Sequence, residues 1–192
     1  MTLRRLALVL TAMTATSALV APASAEVEVH RDPRGDTQRV EERGVRTSAD
    51  VLRLRGVHAG DSVDVQLDVV DLTGKPAYAG IRLLTPTGAE FTVELSREGD
   101  GGKDVTIYRS DRDRFGSVDC PGLEGRFFDQ QDRMAVSVPR SCINRPRWVR
   151  FGALAAAASR GFARVYADDA RRDGGNSRTF RPVLGTKRLS HN

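Results

Sequence analysis

Val63-Asp64-Val65-Gln66-Leu67-Asp68-Val69-Val70 sets an apolar side chain at every second position from Val63 to Val69 and a polar one between each pair. A strand turns successive side chains to opposite faces, whereas a helix would scatter these apolar positions around its circumference. The stretch therefore reads as a strand with one buried face. Upstream, Val51-Leu52-Arg53-Leu54-Arg55-Gly56-Val57 alternates from Leu52 to Arg55, and Ala59-Gly60-Asp61 supplies turn chemistry between the two.

Working outward, Val27 and Val29 alternate with Glu26, Glu28 and His30. Further strands are expected over 79–85, 90–96, 104–110, 125–129, 134–138, 148–155 and 162–167. Thr73-Gly74-Lys75-Pro76, Pro86-Thr87-Gly88 and Gly99-Asp100-Gly101-Gly102 separate them as turns. Helix is scarce. Pro139-Arg140-Ser141-Cys142-Ile143 reads as one short turn, and the alanines of 153–158 continue a strand that Trp148-Val149-Arg150-Phe151 leads into. Short strands at roughly ten-residue spacing predict an all-β fold, an antiparallel, jelly-roll-like β-sandwich of about 9–10 strands.

The 192 residues suit one domain, and 40% hydrophobic with 29% charged side chains is ordinary globular composition. Residues 1–25 read as a secretory signal peptide. Arg4 and Arg5 precede an apolar run, and Ala23-Ser24-Ala25 offers small side chains for cleavage after Ala25. Secretion and an extracellular location follow, with no transmembrane segment in the mature chain. Arg4-Arg5 leaves both the general and the twin-arginine export routes open.

Removing the leader leaves 28 basic against 25 acidic side chains. Residues 171–192 carry Arg171, Arg172, Arg178, Arg181, Lys187 and Arg188 against Asp173 alone, so residues 26–170 are slightly acidic. The basic character belongs to what reads as a flexible tail, introduced by Gly174-Gly175-Asn176-Ser177. A domain whose body alternates both signs of charge does not read as a nucleic-acid binder. Cys120 and Cys142 are 22 positions apart, and in an exported chain they default to a disulfide, worth about 3 kcal/mol by loop closure.

Asp32-Pro33-Arg34-Gly35-Asp36 follows the first strand, the alternating pair around 52–57 and 63–72 comes next, and Val136-Ser137-Val138-Pro139-Arg140-Ser141-Cys142 and Tyr166-Ala167-Asp168-Asp169 come later. Together they resemble secreted bacterial family 9 carbohydrate-binding modules and DOMON domains over most of residues 26–170. The resemblance implies a β-sandwich that binds sugars on aromatic platforms and holds a structural calcium near the paired chain ends. Aromatics are only 6% of this chain, and the single tryptophan, Trp148, beside Val149 and Phe151, reads as core.

Calcium, the one cofactor raised, needs six to eight hard oxygen ligands. Asp32 and Asp36 flank a turn and Asp168 ends the last strand, so these three are the candidate metal ligands if the fold brings them together. The alternative is that each aspartate bonds a backbone N–H in its own turn. For Asp100, Asp104, Asp111 and Asp113 the turn reading is the stronger, because Phe115 interrupts the EF-hand pattern.

Enzyme signatures are missing. There is no G-x-S-x-G, no H-E-x-x-H and no phosphate loop. Of His30, His58 and His191, the second reads as a solvated turn residue and the third as tail. Two readings stay open. One is a non-catalytic extracellular binding module for a carbohydrate or cell-envelope polymer. The other is a structural or protein-interaction domain whose basic tail meets an anionic wall polymer.

Overall fold

The computed structural model describes residues 25–39, 47–72, 76–111, 114–158, 165–172 and 180–191, with the side chains of Gln38 and Arg39 excepted. Residues 1–24 of the expected leader, Asp113 and 173–179 of the expected tail lie outside these ranges. The chain is a sandwich of two antiparallel sheets. The first joins β1 (Glu26–Arg31), β3 (Val51–His58), β4 (Ser62–Val69), β10 (Arg133–Pro139) and β9 (Glu124–Phe128), in that order. The second runs β2 (Gln38–Arg39), β12 (Val165–Asp169), β11 (Trp148–Ala158), β5 (Ala77–Leu84), β6 (Glu90–Arg97), β7 (Lys103–Asp111) and β8 (Arg114–Ser117). The two-residue β13 (Leu189–Ser190) pairs with the start of β11. The short turn expected after β10 is a 3₁₀ turn, Arg140–Ile143, and a second one occupies Asp129–Gln131.

The alternation of residues 63–69 is borne out. Val63, Val65, Leu67 and Val69 are buried, and the register sets Leu67 beside Leu54 and Met134, and Val65 beside Gly56 and Val136. Opposite them the second sheet contributes Ile81, Leu83, Phe91, Val93, Leu95, Ile107 and Phe151 to the same core. The two layers close tightly at Gly56, where a Cβ would overlap three atoms of the Phe151 ring. On the outer face of the first sheet, Asp68 accepts hydrogen bonds from Arg53 (2.7 Å) and Arg133 (2.6 Å) on its two neighbouring strands. This is the polar side that the alternation demands.

Cys120 and Cys142 are bonded, with Cα atoms 5.3 Å apart, tying the loop before β9 to the 3₁₀ turn after β10. Such a bond fits an oxidising compartment. Among the described residues no helix is long and apolar enough to cross a membrane.

Three expectations need correction. The segment read as a flexible tail returns to the sandwich over residues 180–191: Gly185 N–H donates to Phe151 O (2.9 Å), Arg150 Nε to Gly185 O (2.6 Å), and Leu189 is fully buried. Its charge is what docks it. Arg171 pairs with Glu28, Arg181 with Glu90 and Lys187 with Glu26, so the basic tail neutralises acids of the body. Secondly, Trp148 is half-buried rather than core, because it alternates with the buried Val149 and Phe151 along β11 and so lies on the other face, where the Arg188 guanidinium sits 4.6 Å from its ring centroid. Thirdly, His58 is 1% exposed rather than solvated, since the returning segment covers it and Leu189 O accepts its Nδ1–H at 2.9 Å. The returning segment also covers the outer face of β11 at Gly152, which faces the Val183 carbonyl with no room for a side chain, while Leu154 and Ala156 are buried with Ala167 and Tyr78.

Candidate metal centre

β1 ends at Arg31, and the chain leaves the sheet through Asp32-Pro33-Arg34-Gly35-Asp36. Asp32 N–H still bonds Leu52 O (3.1 Å), so the turn starts from a fixed point. Gly35 has φ +87°, a left-handed conformation that glycine adopts without strain. Its N–H donates to both oxygens of Asp50 at 3.0 Å. Asp50 is 2% exposed and directly precedes β3, so one buried carboxylate holds the turn against the entry to the neighbouring strand. The sequence reading missed Asp50. Its place just before an alternating strand was the available signal, but one aspartate there is ordinary turn chemistry.

From the other end of the chain, β12 pairs with β11 so that Asp168 stands opposite Ala155. Asp168 is fully buried, and its Oδ2 accepts the Val51 N–H at 2.8 Å. Its Oδ1 is buried without a hydrogen-bond partner. The fold thereby brings together the three aspartates singled out from sequence: one carboxylate oxygen from each of Asp32, Asp36 and Asp168 lies within 4.8 Å of the others. Oxygens around a single calcium ion are at most about 5 Å apart, twice the usual Ca–O distance, so the spacing suits one ion. The donors are all carboxylate, which matches a hard cation and not a thiolate- or imidazole-seeking metal.

The electrostatics point the same way. Burial pushes the Asp168 carboxyl up to about 7, and the charges of Asp36, Asp50 and Asp169 add to the rise against the single opposing Val51 amide. A negative charge at Asp168 thus has little local compensation. Protonation or a bound cation would relieve it.

Asp169 points elsewhere. It is 2% exposed, its Oδ2 accepts Val183 N–H (2.9 Å) and its Oδ1 accepts Arg171 N–H (3.2 Å). Burial raises its pKa as well. The second acidic group behaves as turn chemistry where it is described: Asp100 Oδ1 caps Gly102 N–H at 2.9 Å and Asp111 Oδ1 caps Arg114 N–H at 2.9 Å.

The aromatic platform not identified from sequence has one counterpart on the outer face of the second sheet. Phe115 of β8 is 84% exposed, and its ring is parallel within 1° to that of Tyr108 on β7, with centroids 6.2 Å apart. Thr92 and Ser110, which pair across the strands with Tyr108 and Phe115, bring their hydroxyls within 3.1 Å of each other. Comparison with protein-family models, curated proteins and solved structures finds no match to this chain.

Proposed function

We propose that the chain is a secreted, non-catalytic β-sandwich module, exported through a leader cleaved after Ala25, that binds calcium at Asp32, Asp36 and Asp168 and offers a sheet face to a glycan of the cell envelope. One observation carries the reading: carboxylates from the two ends of the domain converge on the fully buried Asp168, whose Oδ1 has no protein partner. The ion would supply charge neutralisation and oxygen coordination there. The protein's own contribution is to fix the Asp32–Asp36 turn through Asp50 and to aim Asp168 with the Val51 amide. Thermal unfolding of the purified chain tests this, with a rise of several degrees expected in millimolar calcium and its reversal by chelator. An unchanged transition would remove calcium from the reading.

Support for the glycan face comes from the exposed Phe115, its parallel Tyr108 and the neighbouring Thr92 and Ser110 hydroxyls. An apolar ring beside hydroxyls suits a sugar, which shows one C–H face and a hydroxyl rim. Retention on immobilised envelope glycans should be lost in Phe115→Ala with the unfolding transition unaltered. The other reading, in which the basic tail reaches out to an anionic wall polymer, is weakened because Arg171, Arg181 and Lys187 are paired with carboxylates of the domain. The non-catalytic reading draws on His58, which is buried with its Nδ1 committed to a backbone carbonyl.

A further inference from the structure

Consecutive residues of β12 serve two different structures. Asp168 faces the aspartate cluster, and Asp169 holds the returning C-terminal segment through Val183 N–H and the chain just before it through Arg171 N–H. Arg171 in turn places its guanidinium on Glu28 of β1 and 5.4 Å from the Phe151 ring centroid. The segment's remaining anchors are spread along β5, β11 and β1. Arg82 Nη1 reaches Pro182 O at 3.3 Å, Gly185 bonds Phe151 O, β13 pairs with Trp148 and Val149, and Lys187 Nζ reaches Val27 O at 3.0 Å. Along the described chain after Arg172 the anchors begin with Arg181 on Glu90 and continue at once with Pro182 on Arg82 and Val183 on Asp169.

β12 itself is short. It has five paired positions with β11 and two with β2. Its C-terminal end carries Asp168 and meets both the turn after β1 and the entry to β3. A cation shared by Asp32, Asp36 and Asp168 would tie the end of β12 to the turn after β1, and without it the Val51 N–H on Asp168 is left to hold that end against a shift. Any such shift moves the next side chain, Asp169, off Val183.

We infer that occupancy of the aspartate cluster by calcium controls docking of residues 180–191, making the C-terminal segment a cation-dependent clasp across β11 and β1. This rests on the calcium reading above and adds regulation of that site. The clasp closes over His58 and seats its own Leu189 in the core when the ion is bound, and loosens when the ion is withdrawn. Calcium sites of extracellular modules bind with Kd on the order of 10⁻⁴–10⁻³ M, so the clasp would be set by the medium outside the cell.

Hydrogen exchange of the full chain, read amide by amide in calcium and in chelator, tests it alongside thermal unfolding of the same samples. Calcium should slow exchange at Val183, Gly185 and His191 at least tenfold, with Ile81 and Val93 in the central strands nearly unchanged. The variant Asp169→Asn keeps the three cluster carboxylates, so it should retain the calcium-dependent rise in melting temperature while losing most of the calcium effect on those three amides. A calcium-dependent melting shift without any change at residues 180–191 would overturn the clasp and leave the metal site standing. No melting shift and no exchange change would overturn both. Full retention of the calcium effect in Asp169→Asn would overturn the coupling through β12.

Discussion

Gly56→Ala puts the closure of the two sheets to a direct test. Gly56 lies on the inner face of β3, paired with Val65, and a Cβ there would fall 2.8 Å from Phe151 Cε2 and closer still to Cζ and Cε1. Ordinary carbon contacts are about 3.5–4.0 Å, so the ring must retreat by more than about 0.7 Å. Phe151 is fully buried between β3 and β11, and a close-packed interior offers it no space. Overpacking of this kind costs about 1–3 kcal/mol, and with three ring atoms in conflict the upper end is expected. For a chain of this size that lowers the melting temperature by roughly 6–12 °C. Urea unfolding followed by circular dichroism measures the change. The companion Phe151→Leu removes the colliding atoms, so the double variant should be more stable than the sum of the single effects by at least about 1 kcal/mol. If Gly56→Ala stays within about 0.5 kcal/mol of the parent, or its effect simply adds to that of Phe151→Leu, the two layers do not meet as described.

Other outcomes follow from the same contacts. Replacing Cys120 and Cys142 together by serine should lower stability by about 3 kcal/mol, measured by urea midpoint in non-reducing buffer. Arg171→Ala strands the buried Glu28 carboxylate and should cost about 3–5 kcal/mol, much of it recovered when Glu28→Gln and Arg171→Met are combined. Burial holds the pKa of His58 below its ordinary value, despite the opposing Leu189 hydrogen bond. The unfolded chain therefore takes up a proton that the folded chain resists, and stability should fall as pH drops below about 6.5. His58→Asn should shrink that contribution in unfolding curves at successive pH values; His30, whose pKa burial also lowers, adds to it, while Asp168 and Asp169, whose pKa burial raises, oppose it because the folded chain takes up their protons first.

Local pattern carried the sheets well, because burial of one face forces strict alternation and residues 63–69 obey it on both counts. It could not tell which face of β1 turns inward. Val27 and Val29 are 39% and 52% exposed, while Glu26 and Glu28 turn toward Lys187 and Arg171. The inversion depends on cations more than a hundred residues away, and no window of sequence contains both partners. The same distance hid the C-terminal return, whose glycine-rich approach and lone charges look like a linker until their acidic partners are placed. β8 was missed because Arg114-Phe115-Gly116-Ser117 lacks a buried face: Phe115 is exposed on the edge of its sheet. At the metal centre, Asp32, Asp36 and Asp168 were legible as turn and strand-end acids. Asp50 was not, since it positions the turn through Gly35, and Asp169, legible beside Asp168 as a strand-end acid, bonds Val183 and Arg171 instead.

Isothermal titration of calcium into the full chain, with Asp168→Asn measured beside it, goes most directly to the claim that these aspartates form a cation site. The expected result is one site per chain with Kd on the order of 10⁻⁴–10⁻³ M, weakened at least tenfold by the substitution. Heat indistinguishable from dilution in the parent protein, or equal binding by the Asp168→Asn chain, would contradict it.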